Sequence, residues 1–223
     1  VLIGRLPSIL PGVTLVSEEA SRGSADDAAD GDFIFVDPLD GTREFLAGRK
    51  EFTVNIGVVA DRVPTIGVIV APALQTIWRG AIGLGAQRIH FEPGAGIGRG
   101  RAPIAIHTRP RAADAVVAMT SRSHFDPQTE AFLAARMVTK RLACGSSLKF
   151  CRIAEGQADL FARLAPTSQW DVATGHAVVV AAGGGVTTPD GRPLSYGPDS
   201  GGYGVPGFVA WGNVPLGGGP FNG

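Results

Sequence analysis

The chain has 223 residues, 44% hydrophobic and 18% charged, enough for one sizeable core and within the range of a single large α/β domain. Lys and Arg number 20 against 20 Asp and Glu, with no basic block and no acidic tail, so nothing indicates a general affinity for nucleic acid or an anionic membrane. Two cysteines, Cys144 and Cys151, show no disulfide-framework spacing, and no apolar run reaches the roughly 18 residues of a membrane helix; free thiols and a cytoplasmic location are expected, with peripheral contact to the inner membrane still compatible.

In chain order, residues 13–16 predict a short buried strand ending at Ser17-Glu18-Glu19, and residues 33–36 a second ending at Asp37. Between them, 21–31 is rich in small residues and Asp without periodicity, which reads as a connection. Residues 52–59 and 65–70, joined by Asp61-Arg62-Val63-Pro64, predict a hairpin; 76–81 and 87–91 extend the same sheet, giving an antiparallel first half. The glycine-rich stretch 94–101 has no strand before it or helix after it, so a surface turn is expected in place of a phosphate cradle.

From Ala115 strands and helices alternate: strand 116–119, helix 127–136, strand 138–142, helix 146–155 and strand 159–164. A closely apolar helix at 170–182 ends at Gly183-Gly184-Gly185. A hairpin at 186–196 around Pro189-Asp190-Gly191 and a strand at 207–211 close the chain. The whole reads as layers of helix and mixed sheet without internal repeat.

Three acidic clusters lie at element ends: Glu18-Glu19, Asp37 with Asp40, and Trp170-Asp171. Brought together they would form a site of hard oxygen ligands without His or Cys, which suits Mg²⁺ or Mn²⁺ and not zinc. In Asp37-Pro38-Leu39-Asp40 the proline restricts the backbone, so both aspartates can face one ion pair while the Leu39 carbonyl points the same way. Gly41 and Thr42 then open a helix whose free N–H groups suit a phosphate oxygen. Taken singly, each cluster has a plainer reading, as a Pro-containing turn, a solvated pair or a helix cap. Their joint occurrence after buried strands favours a site.

The stretches "SEE" at 17–19, "VDPLDGTREFL" at 36–46 followed by "EFTVNIGVV", and "WDVATGHAVVVAAGG" at 170–184 resemble the inositol monophosphatase superfamily of Mg²⁺-dependent, lithium-sensitive phosphatases. "SRSH" at 121–124 and "GSSLKFCRIAEGQADLFAR" at 145–163 are similar to its CysQ-type 3'(2'),5'-bisphosphate nucleotidase branch. The resemblance implies an αβαβα sandwich spanning 1–223 as one domain, with sub-halves of roughly 1–110 and 111–223. It also implies two or three Mg²⁺ ions, Mn²⁺ as a substitute and Li⁺ as an inhibitor.

Residue by residue, the resemblance places Glu18, Asp37, the Leu39 carbonyl, Asp40 and Asp171 on the metals, with Glu18, Asp37, Asp40 and Thr42 catalytic. Gly41 and Thr42 would hold the scissile phosphate; His124, Ser146, Lys149, Arg163 and Asp171 would contact the nucleotide and its second phosphate. A small-molecule nucleotide is the implied partner, and the reaction is loss of the 3'-phosphate from adenosine 3',5'-bisphosphate, or its sulfated relative, in sulfur metabolism. Rival readings are an inositol-phosphate or sugar-phosphate phosphatase and a non-catalytic nucleotide or metal binder. Family members also carry N-terminal helices with a T-x-x-D-like stretch whose aspartate pairs with the threonine of the Asp-Gly-Thr turn; this chain starts after that stretch, so an N-terminally incomplete domain is expected. The sequence carries no signal for oligomeric state.

Overall fold

The computed structural model describes residues 2–19, 31–94, 101–110, 115–122, 126–199 and 202–213. Nearly all of the 21–31 connection, most of the 94–101 turn and His124 lie outside the described residues. The chain opens with α1 (Leu2–Ile9), which the sequence did not suggest because Pro7 sits inside it.

Next come β1 (Thr14–Ser17), β2 (Phe33–Asp40), α2 (Thr42–Leu46), β3 (Thr53–Ala60), β4 (Val63–Ala71), β5 (Thr76–Ala81), β6 (Gly85–His90) and β7 (Ile104–Ile106), and the seven strands pair in chain order. The expected antiparallel first half is corrected at its edge, where β1 runs parallel to β2; such a pairing needs a long connection, and residues 18–32 separate the two strands in sequence. The β3–β4 turn is only Asp61-Arg62, both with positive φ (49° and 64°), so Val63 and Pro64 belong to the strand and not to a four-residue turn. Strand β2 does not stop at Asp37 but continues to Asp40 through a register break against β3. Pro38, which cannot donate to the ladder, lies within that break.

The second half supplies β8 (Val116–Ser121), α3 (Pro127–Ala134), β9 (Val138–Cys144), α4 (Leu148–Ala154), β10 (Leu160–Arg163), β11 (Thr167–Ser168), α5 (Gln169–Ala181), β12 (Gly185–Thr187), β13 (Gly204–Val205) and β14 (Phe208–Trp211). Five of these form a mixed sheet in the order β12-β14-β10-β8-β9. The expected 186–196 hairpin reduces to a single Thr187–Pro193 bridge, consistent with prolines at 189 and 193 interrupting a ladder, and β12 pairs with β14 instead.

Alternation assigns the faces of the first sheet. Ile34 and Val36 turn outward to meet Leu6 of α1, while Phe33 and Phe35 turn inward to the main core with Phe150 of α4 and Val172 and Val178 of α5. On the far side of the second sheet, Leu133 of α3 packs with Val116, Leu160 and Trp211. The result is a layered αβαβα sandwich.

A row of glycines seats α5. Gly57, Gly67 and Gly80 face one another across β3, β4 and β5. A Cβ on Gly57 would lie 2.9 Å from Thr174 N, one on Gly80 would lie 2.8 Å from the Ala181 Cβ, and one on Gly67 would collide with the Thr174 carbonyl. The helix backbone therefore sits directly on the sheet, which fixes where its first turn, carrying Asp171, emerges. No helix among the described residues is long and apolar enough to cross a membrane.

Candidate active site

The ends of β2, β8 and β10 and the starts of α2, α4 and α5 line one cleft of about 690 Å³. Its acidic side holds Glu18, Asp37, Asp40 and Asp171. Glu18 is fixed through its backbone, whose N–H donates to the Val36 carbonyl at 3.2 Å. Within the β2 break, the Asp37 Oδ1 accepts from Leu39 N–H at 2.9 Å.

Asp40 is the most tightly held of the four. Its Oδ2 accepts from Ser147 N–H at 2.6 Å, Ser147 Oγ at 2.7 Å, Asn55 Nδ2 at 3.3 Å and Thr53 Oγ1 at 3.4 Å. Asp171 is the third residue of α5 and not its cap; the cap is Ser168, whose N–H donates to the Asp171 Oδ2 at 3.3 Å, joined by the Thr167 hydroxyl. One oxygen of each aspartate is thus fixed, and the other makes no hydrogen bond among the described residues.

Such a cluster is electrostatically unfavourable by itself. Burial, then Asp40, Glu18 and Asp171, push the Asp37 carboxyl up to about 9, and burial also raises Asp171, against the opposing Thr167 hydrogen bond. A hard divalent cation relieves this, and the donor set of carboxylates and one peptide carbonyl fits Mg²⁺ or Mn²⁺. Among the described residues no three of the acids form a closed ion site.

Gly41, between β2 and α2, has φ 88°, and a Cβ there would come within 3.0 Å of the Glu51 carbonyl and the Ser146 Cβ. Thr42 places its hydroxyl 3.3 Å from the Leu39 carbonyl, as its donor. Both residues line the cleft where a phosphate oxygen would meet the first turn of α2.

The lining also includes Arg122, Arg141, Lys149 and Arg163, of which Arg141 pairs with Glu130, itself in the lining. Arg122 forks onto Glu51 at 2.9 and 2.8 Å, and Glu51 also accepts from Gly145 N–H at 2.8 Å, tying the start of β3 to the β9–α4 turn. Arg163 makes no salt bridge among the described residues; its guanidinium donates to the Pro166 carbonyl at 3.4 Å.

Lys149 differs from a solvated charge. It is buried, donates to the Ser146 carbonyl at 2.6 Å and the Cys144 carbonyl at 3.4 Å, and burial pulls its pKa down against the attraction of Asp40. Its ammonium props Ser146, which has φ 56°. For that reason α4 begins at Leu148 behind Ser147 and not at Ser146. The Ser146 hydroxyl meets the Thr53 hydroxyl at 2.7 Å.

All the anticipated site residues within the described regions therefore share the cleft: Glu18, Asp37, Leu39, Asp40, Gly41, Thr42, Ser146, Lys149, Arg163 and Asp171. Glu19 is exposed and outside its lining. Sequence reasoning missed the supports, namely Ser147, Thr53, Asn55 and the Glu51–Arg122 pair. A signal existed for two of them: alternation puts Thr53 and Asn55 on the buried face of β3 alongside Gly57 and Val59.

An αβαβα sandwich whose cleft combines a carboxylate cluster with cationic side chains is a fold and site of the divalent-metal, phosphate-ester class. The sequence matches the model of the inositol monophosphatase family over residues 1–207, and the chain belongs to that family. Its enzymes are metal-dependent phosphatases. The chain is 37% identical over 198 residues to the 3'(2'),5'-bisphosphate nucleotidase CysQ of Escherichia coli K12, a match covering 89% of this chain and 76% of that protein. It is 37% identical over 191 residues to the CysQ nucleotidase of Buchnera aphidicola, covering 86% and 68%. The crystal structure of CysQ from Bacteroides thetaiotaomicron, a bacterial member of the inositol monophosphatase family, superposes with a TM-score of 0.74 at 34% identity, covering 92% of this chain and 78% of that one.

Proposed function

We propose that this protein is a magnesium-dependent 3'(2'),5'-bisphosphate nucleotidase that removes the 3'-phosphate of adenosine 3',5'-bisphosphate, leaving AMP and inorganic phosphate, with the sulfated nucleotide as a second substrate. The observation that carries this reading is that one cleft is lined both by Asp37, Asp40 and Asp171 and by Arg163, whose guanidinium makes no salt bridge among the described residues. A phosphate to be cleaved belongs with the metals, and a second phosphate belongs with the cations. A cleft of about 690 Å³ is large enough for a nucleotide. The identity to the two CysQ nucleotidases supports the same choice.

Glu18, Asp37, the Leu39 carbonyl, Asp40 and Asp171 would hold the ions. Bound Mg²⁺ would supply Lewis acidity, making a water more acidic and neutralising charge on the leaving oxygen. The first-turn amides of α2, with Gly41 allowing the chain to turn, would hold the scissile phosphate. Ser147 holds Asp40 in place, and Arg163 would orient the nucleotide through its second phosphate. The free, buried thiols of Cys144 and Cys151 fit a cytoplasmic site of action.

Phosphate release measured in parallel from adenosine 3',5'-bisphosphate, inositol 1-phosphate and fructose 1,6-bisphosphate, with and without Mg²⁺, tests the assignment. The bisphosphate nucleotide should be hydrolysed with the highest kcat/KM, and only with the metal. A clear preference for inositol phosphate would overturn the nucleotidase reading, and no turnover with intact nucleotide binding would make the protein a binder.

A further inference from the structure

A second cavity, of about 360 Å³, lies away from the acidic cleft, between the β5–β7 edge of the first sheet and α4. It is lined by Trp78, Arg88, His90, Arg101 and Arg152, with Leu74, Ala102 and Ile104 as its apolar residues, and no carboxylate among the described residues is in the lining. We propose that this cavity is a separate anion site that takes the phosphate group of a small phosphate monoester or of free phosphate.

The charge arrangement carries the inference. Glu155 lies just behind the wall and is almost wholly buried, and its oxygens are saturated. Oε1 accepts from Trp78 Nε1 at 2.8 Å and Arg88 at 3.1 Å, while Oε2 accepts from Arg152 at 2.8 Å and Gln157 Nε2 at 2.7 Å. One carboxylate thus fixes two guanidiniums in place and neutralises only one of them. Arg101 adds a third; its backbone N–H is tied to the His90 carbonyl at 3.1 Å, and its side chain makes no hydrogen bond or salt bridge among the described residues. Among the described residues the cavity is left with two uncompensated positive charges, with Arg88 and Arg152 held in place by Glu155 and Arg101 free to close on a ligand, a match for a phosphate dianion.

Arg88 and Arg152 keep 41% and 26% of their side chains exposed, so their outer N–H groups remain available to a ligand. The volume is at the small end for a ligand cavity, which favours a monoester with a compact organic part lying against Leu74 and Ile104. The inference is independent of the activity proposed for the acidic cleft.

Three indole N–H groups make the test specific, because the chain has 3 tryptophans. Trp78 donates to Glu155 behind the cavity, Trp170 adjoins Asp171 of the acidic cleft, and Trp211 lies in the second sheet. EDTA removes metal-assisted binding in the acidic cleft, and Trp170 reports any anion that still enters it. The protein is then titrated with inorganic phosphate and, separately, with glycerol 3-phosphate, while the indole resonances are followed by NMR at constant ionic strength.

Binding is expected to shift Trp78 and leave Trp170 unmoved, and to weaken at least tenfold in both Arg101→Glu and Arg101→Gln. Arg101 is exposed, so both variants should fold. Tighter binding of glycerol 3-phosphate than of phosphate would identify an ester as the ligand, and equal or weaker binding would identify free phosphate. A shift of Trp170 without Trp78, equal affinity in the Arg101 variants, or the same response to chloride would overturn the proposal, as would no saturable binding of either probe.

Discussion

Replacing Ser147 by alanine removes the 2.7 Å hydroxyl donor from the Asp40 Oδ2 while leaving the backbone N–H at 2.6 Å in place. It also deprives Asn55 Nδ2 of its 2.9 Å acceptor, so the amide that spans Ser147 and Asp40 loses its nearer partner. A hydrogen bond to a charged acceptor contributes about 1.5–3 kcal/mol. Taking about 2 kcal/mol as the loss in orienting Asp40 converts to a factor of roughly 30, within the 10- to 100-fold typical of residues that support metal ligands. Phosphate release from the bisphosphate nucleotide, measured against Mg²⁺ concentration, should show kcat/KM reduced by that order and a higher half-saturating Mg²⁺. Excess Mg²⁺ should restore part of the rate, which a merely structural role would not do. A kcat/KM within about twofold of wild type with an unchanged Mg²⁺ midpoint would show that Asp40 needs no such support, contrary to the reasoning.

Asp40→Asn should abolish Mg²⁺-dependent turnover with the fold retained by circular dichroism; unchanged turnover would place the metal site elsewhere. Gly67→Ala sets a Cβ against the Thr174 carbonyl, a backbone atom with little room to yield. It should cost about 1–3 kcal/mol, with thermal unfolding lowered by several degrees, whereas Gly204→Ala, with nothing within 4 Å, should cost far less. Equal melting temperatures for the two variants would remove the glycine row as the seat of α5. The pH dependence of the metal effect follows from Asp37. Its carboxyl stands at about 9 in the fold against an ordinary 3.8, so the folded state keeps a proton that the unfolded chain releases. That stability is fully present below the ordinary value and lost as pH rises through about 9, and a bound cation replaces the proton. Saturating Mg²⁺ should therefore raise the melting temperature more at about pH 8.5 than at about pH 6, and an equal or smaller rise at the higher pH would contradict the assignment.

The sequence disclosed what repeats or carries charge. The unbroken apolar run at 33–36 and the strand pattern of 52–59 locate β2 and β3, and the acids that interrupt apolar runs mark the cleft before any fold is known. Features that depend on contacts between distant residues were hidden. The parallel β1–β2 pairing turns on a crossover whose direction no local pattern specifies. Ser147 looks like any helix-start serine until Asp40, 107 positions earlier, is brought against it.

Lys149 shows the same limit from the other side. Its type and neighbourhood suggested a charge offered to the second phosphate, and the residue does line the cleft. Only the fold reveals that it first serves the carbonyls of Ser146 and Cys144, holding Ser146 at φ 56° so that Ser147 can present two donors to Asp40. Lys149→Met tests which task dominates. If the ammonium chiefly meets the second phosphate, KM for the bisphosphate should rise well above the change seen with a small aryl phosphate. If it chiefly props the turn, both substrates should lose kcat together and the Mg²⁺ midpoint should rise as in Ser147→Ala. The 2.6 Å bond to Ser146 and the burial of the side chain favour the second outcome. A selective loss on the bisphosphate with an unchanged Mg²⁺ midpoint would refute it.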